Sequence, residues 1–475
     1  MIKKVFKGTV CLVLLFLLGV FAFPGVSYSH DNRESSYTYA LHAKGLVNVI
    51  DEATGTVVKS IDTNVDGNGT PNDVSTGGTL GALTPNMEKL YVSNAGANMN
   101  TVTVINTAKP LIASVIANIQ TGSGDIRPKH AIVSPNGKWA GVNHWRRNAD
   151  GTLRVSFIKV FNNTVQNIDL TLTNANSNSN QSMHNAWSWD SKYFFTSSYD
   201  DDKVFVFEAP ATSSGLFTLV KTYDLSISGQ DNNPHYMIPS NDGLSMWIVT
   251  EGPSGSFYNP GTPTVAPLVY IVNLATLNIS GAISTLLTTG EVIEGHHGSF
   301  SLDGNYFYFV NRGPGNNLKG ISVDVIDAVT QEIVKHVETT LLGSAEGDGH
   351  AYVSPDGKTI AITKYGTNIL TFLDQSNDWA QTDLTVGTGI HIGHITFALR
   401  GARRAFVMNR VDDAVYQLDG VGTATPSVTK KIDILLPDLT TIATGDGTGQ
   451  VTNTYTNYFE MPGNIQTREC FRRMF

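Results

Sequence analysis

Six histidines recur at one place in a repeated stretch, and this constrains the chain more than any other feature. Aligned on a residue four places further on, usually a small one, His130, His184, His235, His297, His350 and His394 fall in one register, in HAIVSPNG, HNAWSWDS, HYMIPSND, HGSFSLDG, HAYVSPDG and HITFALRG. An apolar run follows each copy. Several units close a later run on an aliphatic residue and Asn or Asp, as in TVTVIN at Thr101 to Asn106 and SVDVID at Ser322 to Asp327.

Each unit spans roughly 45 to 60 residues and holds four short apolar runs separated by Gly, Asn, Asp or Pro, the pattern of propeller blades rather than helical solenoids. The unit from His350 reads HAYVS, TIAITKY, ILTFLD and TDLTVG. Its PDGK turn joins the first two runs, with Asp supplying a side-chain acceptor and Gly the positive φ of a tight hairpin. The expected fold is therefore all-β, a single β-propeller of four-stranded blades over residues 30 to 460.

The blade number follows from the ends. Ser36 to Asp62 carries three runs, YTYALHA, LVNVID and VVKSID, with no first strand ahead of them. Seven full units then begin near Gly81, His130, His184, His235, His297, His350 and His394. A C-terminal run such as Thr452 to Phe459 would complete the first blade and hide both edges of the ring, giving eight blades, with seven as the alternative.

In a blade the first strand is innermost, so these histidines would surround one mouth of the central channel. Two readings follow for Nδ1 and Nε2. They tie neighbouring strands by hydrogen bonds, or they present neutral donors to a metal or haem.

Met1 to Ser29 has lysines at 3, 4 and 7, an apolar run from Val10 to Phe23, and small residues at Ser27 and Ser29, which reads as a cleaved secretory signal. Its removal takes three lysines and no acids, so the formal charge moves from -9 to -12. Nucleic acid is a poor partner for such a chain. Export is the expected fate, to a periplasm or an equivalent compartment, with no membrane span after cleavage. Cys11 leaves with the signal, and Cys470 in the tail of residues 461 to 475 stays single, so no intrachain disulfide forms. No CxxCH occurs, which argues against covalent haem.

Asp62, Asn64, Asp66, Gly67 and Asp73 follow the spacing of a calcium loop, with oxygen ligands at positions 1, 3, 5 and 12 around the glycine. Position 12 is Asp rather than Glu, and strands flank the loop. Calcium is the expected ion, against the alternative of a polar loop between blades.

The long loop Glu251 to Pro267 carries Phe257 and Tyr258 among Gly and Pro, as an ordered partner-contact loop would. Asn143 to Gly151 adds Trp145, Arg146 and Arg147 on the same face. Glu294, Glu346 and Asp348 precede His297 and His350, where carboxylates can orient imidazoles. Gly445, Gly447 and Gly449 lack the strand-to-helix setting of a phosphate loop, and no nucleophile elbow occurs.

YVSN at Tyr91 to Asn94, SPDGK at Ser354 to Lys358, and VIN or VID before turns resemble the YVTN-type β-propeller repeat family over residues 36 to 435. The whole chain is similar to the propeller β subunits of hydrazine synthases of ammonium-oxidising anaerobes. That resemblance implies a subunit without haem that packs beside multihaem c-type cytochrome partners. A histidine ring similar to those of nitrous oxide reductase and haem d1 propellers implies instead an enzyme that uses the ring directly. A scaffold propeller, using neither ring nor loop, is the third class.

Overall fold

The structure, a computed structural model, describes residues 36–63, 78, 80–172, 184–252 apart from 213 and 228–231, 267–285, 294–312, 322–339, 349–398 apart from 365, 403–443, and 448–452. Its strands form eight four-stranded antiparallel sheets, the blades of a β-propeller. The inner strands of blades two to eight are Leu80–Leu83, Pro128–Val133, Asn185–Trp187, Pro234–Pro239, Glu294–Phe300, Ala351–Val353 and Ile392–Phe397. Each is followed in chain order by the other three strands of its blade.

Blade one is built from both ends of the chain. Tyr37–His42, Leu46–Asp51 and Thr56–Asp62 supply its outer strands, and Thr448–Thr452 lies antiparallel to Tyr37–His42 as the inner one. Closure thus follows the expected scheme, with TGQVT as the described part of the strand; of the run from Thr452 to Phe459 expected there, residues 453–459 lie outside the described residues. Tyr39 pairs with Thr452 and Ala40 with Val451.

One turn recurs between first and second strands. The hydroxyls of Ser134, Ser188, Ser240, Ser301 and Ser354 each donate to Asn or Asp two residues on, at 2.8, 2.6, 2.5, 2.5 and 2.5 Å. Each hydroxyl also accepts the backbone N–H five residues on, as Tyr306 N donates to Ser301 Oγ at 2.9 Å. Thr84 and Asn86 repeat the device in blade two. A side chain that satisfies both the turn and the strand start fixes the register of every blade it opens.

Blades pack through apolar faces, with large aromatics between neighbours. Phe157 stacks on Phe217 at 3.7 Å between ring centroids and meets Phe194 edge-on at 5.2 Å. Two buried indoles bond across blades: Trp187 Nε1 donates to Ile132 O at 3.1 Å, and Trp189 Nε1 to Ser240 O at 2.7 Å.

Candidate functional site

The serine turn gives a ruler for the inner strands. Counting four residues back from the turn hydroxyl reaches His130, His184, Tyr236, His297 and His350, while His394 stands four before Ala398. His235 is therefore not in the register expected for it. Its turn hydroxyl is Ser240 rather than a group at Pro239, so Tyr236 holds the ring position and His235 stands one residue nearer the start of the strand.

Strand pairing shows how both fit. Pro234 pairs with Thr250 and Tyr236 with Val249, which leaves His235 as one extra residue in a bulge. Gly295 pairs with Asn311 and His297 with Val310, which makes His296 the extra residue of blade six. Neighbouring side chains on a regular strand face opposite ways, and a bulge re-aims one of them. His296 and His297 thus both reach the same group of rings. Gly295 allows the bend, since a Cβ there would stand 2.5 Å from Thr250 O.

All six expected histidines, with His296 as a seventh, form one continuous cluster on blades three to eight. Ring centroids lie 4.5 Å apart for His130 and His184, 4.5 Å for His184 and His297, 4.0 Å for His297 and His350, and 5.0 Å for His350 and His394. His235 lies 4.3 Å from His296, and His296 5.3 Å from His350. The Nε2 atoms of His184 and His297 face each other at 3.1 Å. Tyr352 Oη stands 2.9 Å from His394 Nδ1.

Glu251, 2% exposed, joins the cluster from the end of the second strand of blade five. Its Oε1 touches His235 Nδ1, and its Oε2 accepts the Tyr199 hydroxyl. Neither residue stood out in the sequence, and nor did His296 or Tyr236. The His–His pair at 296 and 297 was the available signal.

Three sets bring their ligand atoms within 4.8 Å of one another: His184, His235 and His297; His296, His297 and His350; and His235, Glu251 and His296. Burial holds His184, His297 and His350 well below the ordinary imidazole value, and repulsion among the rings adds to it. These three are neutral donors at neutral pH. Zinc or copper held by imidazole nitrogens at about 2.0 Å brings tetrahedral neighbours to roughly 3.3 Å, close to the separation of the facing Nε2 atoms.

Lys129 Nζ lies 4.2 Å over the Trp145 ring, and Arg147 forms a buried ion pair with Asp201 at 2.9 Å. Arg146 pairs with Asp125 at 3.0 Å. Trp145, Arg146 and Arg147 thus all have partners within the chain. Burial lowers Lys364 to about 8, and His391 to about 4 with help from Arg410.

Several expectations lie outside the described residues: Met1 to Ser29, Asn64, Asp66, Gly67 and Asp73 of the calcium loop, Phe257 and Tyr258, Glu346, Asp348 and Cys470. Asp62 ends the strand Thr56–Asp62, and Glu294 opens Glu294–Phe300. Among the described residues, no helix is long and apolar enough to cross a membrane.

Fold and site together define an eight-bladed β-propeller with a histidine cluster on its inner strands. No family model matches the chain, and no curated protein does. Among solved structures it is similar to dihydro-haem d1 dehydrogenase NirN in complex with DHE, at 13% identity and a TM-score of 0.61, over 91% of this chain and 77% of that one. It is also similar to Kuenenia stuttgartiensis hydrazine synthase, at 15% identity and a TM-score of 0.51, over 75% of this chain and 99% of that one. The Dos1 propeller matches at 10% identity and a TM-score of 0.54, over 74% and 83%. Likeness at this level establishes the propeller fold.

Proposed function

We propose that the protein is an exported metalloprotein that holds transition-metal ions in the histidine cluster. The observation that carries this reading is the convergence of ligand atoms, three sets each within 4.8 Å, from blades four to seven. Here rings face rings, and a neutral imidazole has one donor and one acceptor to offer another. A metal ion satisfies several such nitrogens at once. Imidazole sets suit copper, zinc, iron and nickel, with copper bound most tightly among common divalent ions, so copper or zinc is the expected occupant.

The burial that keeps His184, His297 and His350 neutral prepares them for an ion without a competing proton. The alternative role, a subunit beside multihaem cytochromes, rests on sequence resemblance, and likeness of fold adds nothing to it. Mass-spectrometric metal analysis of protein purified from an export compartment without chelators tests the proposal. Stoichiometric copper or zinc, reduced in the double variant His184→Ala with His297→Ala, supports it. A wild-type protein that is metal-free as isolated and takes up neither ion on titration overturns it.

A further inference from the structure

The cluster has two tiers. His130, His184, His297, His350 and His394 stand at the ring position, four residues before the turn. His235 and His296 stand one residue earlier, in bulges of adjacent blades, and so one step nearer the mouth at which these strands begin. Glu251 belongs to this outer tier, because it follows a second strand that runs back to the same mouth. Gly295 N donates to Glu251 O at 3.2 Å, which holds the two bulge-bearing segments together.

We infer that the outer tier is a separate metal subsite, in which His235, His296 and Glu251 hold a divalent ion distinct from the one bound by the inner imidazoles. The inference rests on the metalloprotein reading above. The two subsites are adjacent, since His235 also lies within reach of His184 and His297, and His296 within reach of His297 and His350, but only the outer one includes Glu251 while the inner pair meets through its own Nε2 atoms. They also differ in chemistry. The inner set is all imidazole and favours copper, whereas two imidazoles and a carboxylate make a harder set that takes divalent iron or zinc.

Three protein ligands leave positions of such an ion open, and a small molecule entering from the mouth can bind there directly. Tyr199 sets the direction of the carboxylate by donating to Oε2 of Glu251, which leaves Oε1 turned towards His235. Its role is positioning, as hydrogen-bond partners of metal ligands commonly do.

Cobalt(II) is a suitable probe, since its visible absorption reports coordination and its uptake can be counted by mass spectrometry. Anaerobic titration of the full metal-stripped chain should give two bound ions. Glu251→Gln and, as a second variant, His296→Ala should each retain one, while His184→Ala with His297→Ala should lose the other. Tyr199→Phe should retain both and weaken one by roughly 10- to 100-fold. Two ions retained in both Glu251→Gln and His296→Ala would overturn the subsite, as would a wild-type protein that binds a single ion. Wild type that binds no cobalt, copper or zinc would overturn the metalloprotein reading itself.

Discussion

His184 and His297 meet Nε2 to Nε2 at 3.1 Å although 113 residues and a whole blade separate them. Tyr236, from the blade between, places its ring 5.3 Å from the first and 4.0 Å from the second. In the metal-free protein only one of the facing nitrogens can carry a proton, so the two rings must be opposite tautomers. An ion between them removes that requirement.

That exchange sets the expected effect of His297→Ala. Without metal, the variant loses one neutral hydrogen bond, worth about 0.5–1.5 kcal/mol. With metal at about 1,000 times its dissociation constant, the wild type gains about 4 kcal/mol that the variant lacks. Thermal melts with and without added copper should show a large metal-dependent shift in the wild type and a small one in His297→Ala. Equal shifts would place the ion elsewhere.

Acid should destabilise the metal-free protein. Burial puts His144 at about 4 and drives His184, His297 and His350 well below 6.5, so the unfolded chain binds more protons than the folded one as pH falls from 6.5. Their contribution is complete above 6.5 and is lost on descent towards about 4, at up to about 1.4 kcal/mol per pH unit for each group. His336 runs the other way, because Asp324 raises it, but it stands alone and is only half-buried. Urea unfolding at pH 7.5, 6 and 4.5 should give steadily falling stability; a flat profile would mean that the imidazoles are accessible to protons in the folded state.

The serine turns are predicted to matter one blade at a time. Ser301→Ala removes the bond to Asp303 at 2.5 Å and the acceptor for Tyr306 N at 2.9 Å. Leaving such groups unmet costs about 1–3 kcal/mol. Hydrogen exchange should rise at the Ser301 to Tyr306 hairpin and stay unchanged at the equivalent turn of Ser134, a contrast that a globally acting serine would not give.

Between blades three and four, Trp187 is fully buried and bonded to Ile132 O. Trp187→Ala should destabilise by about 3–5 kcal/mol, the usual range for deleting a large buried aromatic. Trp187→Phe should cost less, since it keeps most of the apolar contact and loses the indole donor. Chemical denaturation of both variants checks the order.

The propeller was readable because its signals are local: Asp-Gly turns, four apolar runs per unit, and three orphan strands at the start that demanded a fourth from the end. The histidine positions were readable for the same reason, apart from the residue before the ring position in blades five and six. Aligning Pro239 with the turn serines put His235 in the ring, where Tyr236 stands, and His296 was passed over beside His297. Glu251 and Tyr199 were hidden because their importance arises from contacts across blades. Nothing in SMWIVTE or SSYDD announces that the two side chains share a hydrogen bond.

Sealing of the first blade by Thr448–Thr452 also gives the molecule a timetable. Tyr37–His42 emerges from the ribosome about 400 residues ahead of its inner partner, an interval of roughly 20–80 seconds at synthesis rates of 5–20 residues per second. Throughout it the strand presents unpaired N–H and C=O groups, while every blade that bears a cluster histidine is already complete in the growing chain. The last strand to arrive contributes no cluster histidine. It decides only when the earliest strands stop being available to other chains.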